Sequence, residues 1–168
     1  PPALDAPRDV RWLDSTHLRQ VLDEMPLRPM RAGDDGLRLS LAGAQDKLPV
    51  VLDADGDRIG LPLDGAPSTH ILKPPIAGVD GSVFNEAFCM ALAGALKLDV
   101  ASTKIQAITD GAQQRHYLLV QRYDRHSDLP GTRLHQEDFC LALCVVSADT
   151  YQNEGGPDLA RASALGRR

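Results

Sequence analysis

Two stretches of this chain carry residues whose types and order suit the capture of a phosphate anion. The first is Leu39-Ser40-Leu41-Ala42-Gly43-Ala44-Gln45-Asp46-Lys47, a run of small residues leaving a short apolar segment. Backbone N–H groups can point at an anion only where side chains leave the main chain room, and Ala42-Gly43-Ala44 leaves it. The second is Ser68-Thr69-His70-Ile71-Leu72-Lys73-Pro74, an apolar strand pattern that ends on a lysine. In kinases a strand lysine pairs the α- and β-phosphates of ATP and is held by a glutamate of a helix. Glu86 falls one turn into the next predicted helix, where such a partner would sit, and Asn85 beside it could serve a similar end. Together these residues read as half of a phosphotransferase site.

Each piece alone has a plainer reading. Ala42-Gly43-Ala44 matches neither the Walker pattern nor the kinase Gly-rich pattern, and it also fits an ordinary loop. Lys73 and Glu86 also fit a snorkelling strand-end lysine and a solvated helix glutamate. The order of the elements is what favours the phosphate reading.

A third stretch, Leu118-Leu119-Val120-Gln121-Arg122-Tyr123-Asp124-Arg125, is an apolar strand turning polar. Its position suits a hinge at which backbone groups around Gln121 to Tyr123 meet an adenine edge, although a simple strand end has the same pattern. Asp110 lies in a tight turn, and Asp124 follows the hinge too closely for a catalytic loop, so both are read as structural. His17, His70, His116, His126 and His135 show no His-Glu-x-x-His or Cys-x-x-Cys spacing, so no metal site is expected. Cys140 and Cys144 stand one helical turn apart, and the three cysteines are read as buried free thiols of a reducing cytosol.

These residues need a frame. Asp14-Ser15-Thr16 offers caps to a helix running to about Glu24, with Leu18, Val21 and Leu22 on one face. Pro26 and Pro29 end it, and Gly33-Asp34-Asp35-Gly36 is a turn cluster. Strands are expected over Leu37–Leu41, Leu48–Asp53, Arg58–Leu63 and Thr69–Lys73, with an Asp55-Gly56 hairpin turn between the second and third. Gly78 to Gly81 reads as a loop. Ser82 then caps a helix to about Leu98 with Phe84, Phe88, Ala91, Leu92 and Ala95 as its apolar stripe. Thr103–Thr109 and His116–Arg122 form a second hairpin, and Gln136 to about Val146 a further helix. The tail from Asn153 gives little pattern.

The expected fold is α+β: a protein-kinase-like N-lobe, an antiparallel sheet with a covering helix, and the start of a helical C-lobe. The expected organisation is an N-terminal helix and connector over 1–36, the lobe with its ATP-binding loop over 37–125, and a connector with the start of the C-lobe over 126–168.

At 168 residues, 43% hydrophobic and 24% charged, the chain has the composition of one soluble globular domain. A net charge of −5 argues against direct binding of nucleic acid, which calls for a basic face. Neither an apolar run long enough to span a membrane nor a signal peptide is expected, which points to the cytoplasm.

In combination the motifs resemble the HipA family, the serine/threonine kinase toxins of bacterial toxin–antitoxin systems. The matching blocks are Leu39 to Lys47, Pro67 to Pro74, Asn85-Glu86, Arg122 to Arg125 and Leu134-His135-Gln136-Glu137-Asp138, within about residues 37 to 158. The resemblance implies an ATP-binding set of Ala42, Gly43, Ala44, Gln45, Lys47, Lys73, Gln121 and Tyr123, supported by Glu86 and Gln136. It implies that autophosphorylation of Ser40 ejects the phosphate loop and silences the kinase. It also implies ATP and Mg²⁺ as cofactors, a DNA-binding antitoxin of the HipB type as partner, and a translation-linked substrate such as an aminoacyl-tRNA synthetase.

The family's Asp-Gly-His-x-x-Asn-like catalytic loop, its later metal-binding Asp and its amino-terminal subdomain are not found in the sequence. The expectation is therefore that no catalytic residue lies in this chain and that the metal ligands belong to a further lobe. Two readings follow: the ATP-binding portion of a kinase that acts when complete, or a catalytically inactive fragment that binds nucleotide or a partner. Either way, apolar surface meant for a larger lobe is expected to make the chain self-associating or partner-dependent.

Overall fold

Six short stretches in which inward and outward side chains alternate pair into one antiparallel sheet. Its strands are β1 (Val10–Trp12), β2 (Leu48–Leu52), β3 (Ile59–Pro62), β4 (His70–Lys73), β5 (Thr103–Asp110) and β6 (Gln113–Gln121), in the order β1-β3-β2-β4-β6-β5. Helices α1 (Ser15–Glu24) and α2 (Ser82–Ala95) accompany the sheet; α3 (Phe139–Ala142), a 3₁₀ turn (Gln152–Glu154) and α4 (Leu159–Leu165) follow. The structure is a computed structural model that describes residues 10–25, 45–110, 113–125, 133–146 and 152–165. The chain divides into two compact units, Pro1–Gly131 and Thr132–Arg168. The strand expected at Leu37–Leu41 and the turn cluster at Gly33 to Gly36 lie outside the described residues.

In the first unit the core lies on one face of the sheet. Leu18, Val21 and Leu22 of α1 pack with Leu48, Val50, Ile59, Leu61, Leu72, Ile108, Tyr117 and Leu119. The register explains the selection: Leu48 stands opposite Leu72, and Leu72 opposite Leu119, so one face of three adjacent strands is leucine. Asp14 starts α1 by accepting a hydrogen bond from the His17 N–H at 2.8 Å, the usual role of an N-cap carboxylate. The β2–β3 hairpin turns at Gly56, whose φ of 75° suits a residue without a side chain. Asp53 steadies the turn by accepting from the N–H groups of Asp57 and Arg58. Strand β1, which the sequence pattern did not announce, pairs with β3 and crosses it closely at Gly60. A Cβ at Gly60 would lie 2.3 Å from Val10 Cγ1 and 3.0 Å from Trp12 Cε3.

The structure corrects several expectations. The sheet carries α1 as well as the covering helix, since the other helix, α2, packs against β5 and β6. Helix α2 starts from Gly81 without a side-chain cap, because Ser82 Oγ instead accepts the Ile76 N–H at 2.9 Å. The expected apolar stripe of α2 points to solvent, with Phe84 48%, Phe88 66% and Leu92 49% exposed. The face turned inward is Val83, Glu86, Ala87, Met90 and Ala93. The helix expected over Gln136–Val146 shrinks to Phe139–Ala142, capped by Asp138 and followed by Cys144 in the left-handed region at φ 56°. Cys140 and Cys144 therefore do not share a helix, and Cys89 and Cys144 are exposed while Cys140 is half-buried, rather than all three being buried. Among the described residues no helix is long and apolar enough to cross a membrane.

Candidate functional site

Antiparallel register puts two lysines side by side. Leu48 stands opposite Leu72, so the residue preceding β2, Lys47, is brought opposite the residue closing β4, Lys73. Lys73 Nζ donates to Glu86 Oε1 at 2.5 Å, across the gap between β4 and α2. Both side chains are largely buried, at 22% and 28% exposed. Burial lowers the Lys47 ammonium pKa first, the Lys73 charge lowers it further, and Glu86 opposes both. Two ammonium groups, those of Lys47 and Lys73, thus gather near Glu86, a lysine cluster in a chain of net charge −5. Its chemical complement is an anion with several oxygens.

The charged end adjoins an apolar floor. Alternation along β4 puts Ile71 on the face of Lys73, away from the core; Pro49 and Val120 stand opposite Ile71, and Leu118 opposite Lys73. Leu118 is fully buried, whereas Val51, Ile71 and Val120 are half-buried. Beyond Val120, β6 leads into Gln121, Arg122 and Tyr123. Gln121 and Tyr123 are exposed, Tyr123 at 71%. The Gln121 N–H is committed to Ser102 O at 2.8 Å and the Arg122 N–H to Thr69 O at 3.0 Å. Within Gln121–Tyr123, a main-chain donor for a base edge therefore reduces to the N–H of Tyr123.

Of the residues singled out in the sequence, Lys47, Lys73 and Glu86 are brought together. Val120, on their face of the sheet, leads to Gln121 and Tyr123. Gln45 is half-buried two residues before Lys47, and Asn85 is exposed beside Glu86. Ser40, Ala42, Gly43 and Ala44 lie outside the described residues. Gln136 is exposed in the second unit, ahead of α3. Asp110 closes β5. Asp124 is 2% exposed and ion-paired with Arg122 and Arg125, an arrangement whose partners the sequence did not reveal. Among the described residues no group of three or more His, Cys, Asp or Glu side chains is placed to hold a metal ion.

Comparison with known proteins gives this geometry a lineage. The chain is 49% identical over 158 residues to "Putative kinase Y4mE" of Sinorhizobium fredii, covering 93% of this chain and 36% of that protein. It is 30% identical over 151 residues to the serine/threonine-protein kinase toxin HipA of Shewanella oneidensis, covering 88% of this chain and 33% of that protein. The chain thus spans about a third of the length of these curated relatives. A solved structure of the Shewanella oneidensis MR-1 toxin–antitoxin system, HipA with HipB and its operator DNA, matches with a TM-score of 0.66 and 28% identity. That match covers 96% of this chain and 37% of the solved one. Residues 39–167 match the family described as the HipA-like C-terminal domain, and the chain belongs to that family.

Proposed function

We propose that this chain is the ATP-binding portion of a HipA-like serine/threonine protein kinase, which transfers a phosphoryl group from ATP to a protein serine when the protein is complete. The observation that carries this reading is the Lys73–Glu86 ion pair with Lys47 opposite. Phosphoryl transfer depends on positioning and on neutralising charge as it develops. Glu86 fixes the direction of the Lys73 ammonium, and Lys47 adds a second positive charge on the same face. In this reading Ala42, Gly43, Ala44 and Gln45, small or unbranched residues that leave the main chain room, would serve as the phosphate cradle. Ile71, Val51 and Val120 offer the base an apolar surface, and Gln121 and Tyr123 meet its edge.

Several functions go with this reading. Phosphorylation of Ser40 would eject the cradle loop, and Gln136 would touch nucleotide or substrate. The catalytic base and the carboxylates for Mg²⁺ would lie in the part of the full-length protein not represented here, and no step through the metal is derived. The HipA of the matching structure is complexed with HipB and operator DNA, which supports a HipB-type DNA-binding antitoxin as partner of the full-length protein. The substrate would be a translation-linked protein such as an aminoacyl-tRNA synthetase, and the location cytoplasmic.

The test is transfer of labelled γ-phosphate to protein by the full-length protein and its Lys73→Ala variant. The expected result is transfer by the former and a loss of about 10²-fold or more in the latter, the scale of removing one electrostatic stabiliser. Equal transfer by both would remove Lys73 and this site from the reaction.

A further inference from the structure

Where β6 leaves the sheet, its side chains alternate strictly. Gln121 and Tyr123 face solvent; Arg122 and Asp124 turn inward, their side chains only 9% and 3% exposed. Arg122 grips Asp124 with two parallel bonds, Nε donating to Oδ1 at 2.8 Å and Nη2 to Oδ2 at 2.7 Å. Its Nη1 donates to Ser68 Oγ at 2.9 Å. Arg125 donates from Nε to the Ser68 carbonyl at 2.7 Å and from Nη1 to Asp124 Oδ2 at 3.4 Å. Ser68 is itself 5% exposed, and the carbonyl of Thr69 after it accepts the Arg122 N–H.

Burying two guanidinium groups and a carboxylate is a poor way to gain stability, because desolvation offsets most of the attraction. What a bidentate arginine–carboxylate pair adds is direction. Here the direction is that of the chain between Gln121 and Tyr123, clamped to the residues that lead into β4. Both ends of that segment present outward side chains, and its last N–H is the remaining main-chain donor at that edge.

We propose that Asp124, acting through Arg122 and Arg125 on Ser68, is a positioning residue for the base-binding end of the nucleotide site. The inference rests on the nucleotide-binding reading above and adds to it how purine contact is set. The clamp stands at the His70 end of β4, three residues and about 10 Å along the strand from Lys73. It therefore acts on the base and not on the phosphates, and the two effects can be measured separately.

The experiment uses the full chain, with calorimetric affinities for Mg-ATP and for magnesium tripolyphosphate, which has phosphates and no base. Asp124→Asn keeps the shape and removes the charge; Ser68→Ala removes one clamp bond and leaves the arginine–aspartate pair. Asp124→Asn is expected to weaken ATP about tenfold and Ser68→Ala about threefold, with tripolyphosphate unchanged in both. Lys73→Ala, by contrast, weakens both ligands. Unchanged ATP affinity in either folded variant, or equal weakening of the two ligands, overturns the proposal. If Asp124→Asn does not fold, Ser68→Ala decides by the same criterion. Tripolyphosphate binding without ATP binding by the unsubstituted chain removes the nucleotide reading itself, and the inference falls with it.

Discussion

Lysine–glutamate pairs that keep some contact with solvent contribute about 1 kcal/mol or less to folding once side-chain ordering and screening are counted. Lys73 and Glu86 form such a pair, yet its geometry joins a strand end to a helix and aims an ammonium at the site. Stability and function should therefore separate: Lys73→Ala is expected to leave the melting temperature within a few degrees of the parent. A collapse like that of a core truncation, followed by circular dichroism, would mean the pair serves the fold. His70 behaves differently. Burial holds its imidazole pKa below 6.5, so as pH falls past 6.5 the unfolded chain takes up a proton that the folded chain resists. Stability should decline as pH drops below about 6.5, and His70→Gln should flatten that slope in denaturant titrations at several pH values. At this scale the Lys73–Glu86 partnership was legible, because strand end and helix start are close in sequence. Lys47 opposite Lys73, and Ser68 under Arg122, were not, because cross-strand register and contacts 54 residues apart leave no local pattern.

Elements follow their local signals where those signals are specific. Helix α1 was readable because a capping Asp14 precedes a single apolar stripe, and Asp14→Ala is expected to cost about 1 kcal/mol in thermal or denaturant unfolding. No change in stability would remove the cap from the account. Helix α2 misled because it is apolar around its circumference, so periodicity does not choose a face; the sheet chose Val83 and Glu86 instead. Three residues of β1 are too few to show a period, and what identifies them is the space left at Gly60. A methyl group there would push Val10 and Trp12 off β3, so Gly60→Ala should destabilise by about 1–3 kcal/mol, the range for overpacking. An unchanged unfolding midpoint would show that β1 is not held there. Helix α4 was missed although Asp158 accepts the Arg161 N–H at 2.7 Å, a capping signal that the Gly-rich stretch before it obscured.

Over the whole molecule, an acidic chain gathers two lysines where β2 and β4 meet. The outward face of α2 is the other large-scale feature, continuing past the helix to Leu96 at 68% and Leu98 at 62% exposed. Apolar surface of this kind promotes association. The 168-residue chain should therefore self-associate with rising concentration in light scattering, and Phe88→Glu should reduce it. A monomer at every concentration would contradict that. The exposed stripe of α2 and its inward Glu86 lie on different faces of the helix, so neither result substitutes for the other. The most direct test of the central claim is calorimetric titration of Mg-ATP into this chain and into Lys73→Ala. Saturable binding that the substitution abolishes is the predicted result. A folded chain that binds no Mg-ATP, or one whose affinity is indifferent to Lys73, would contradict it.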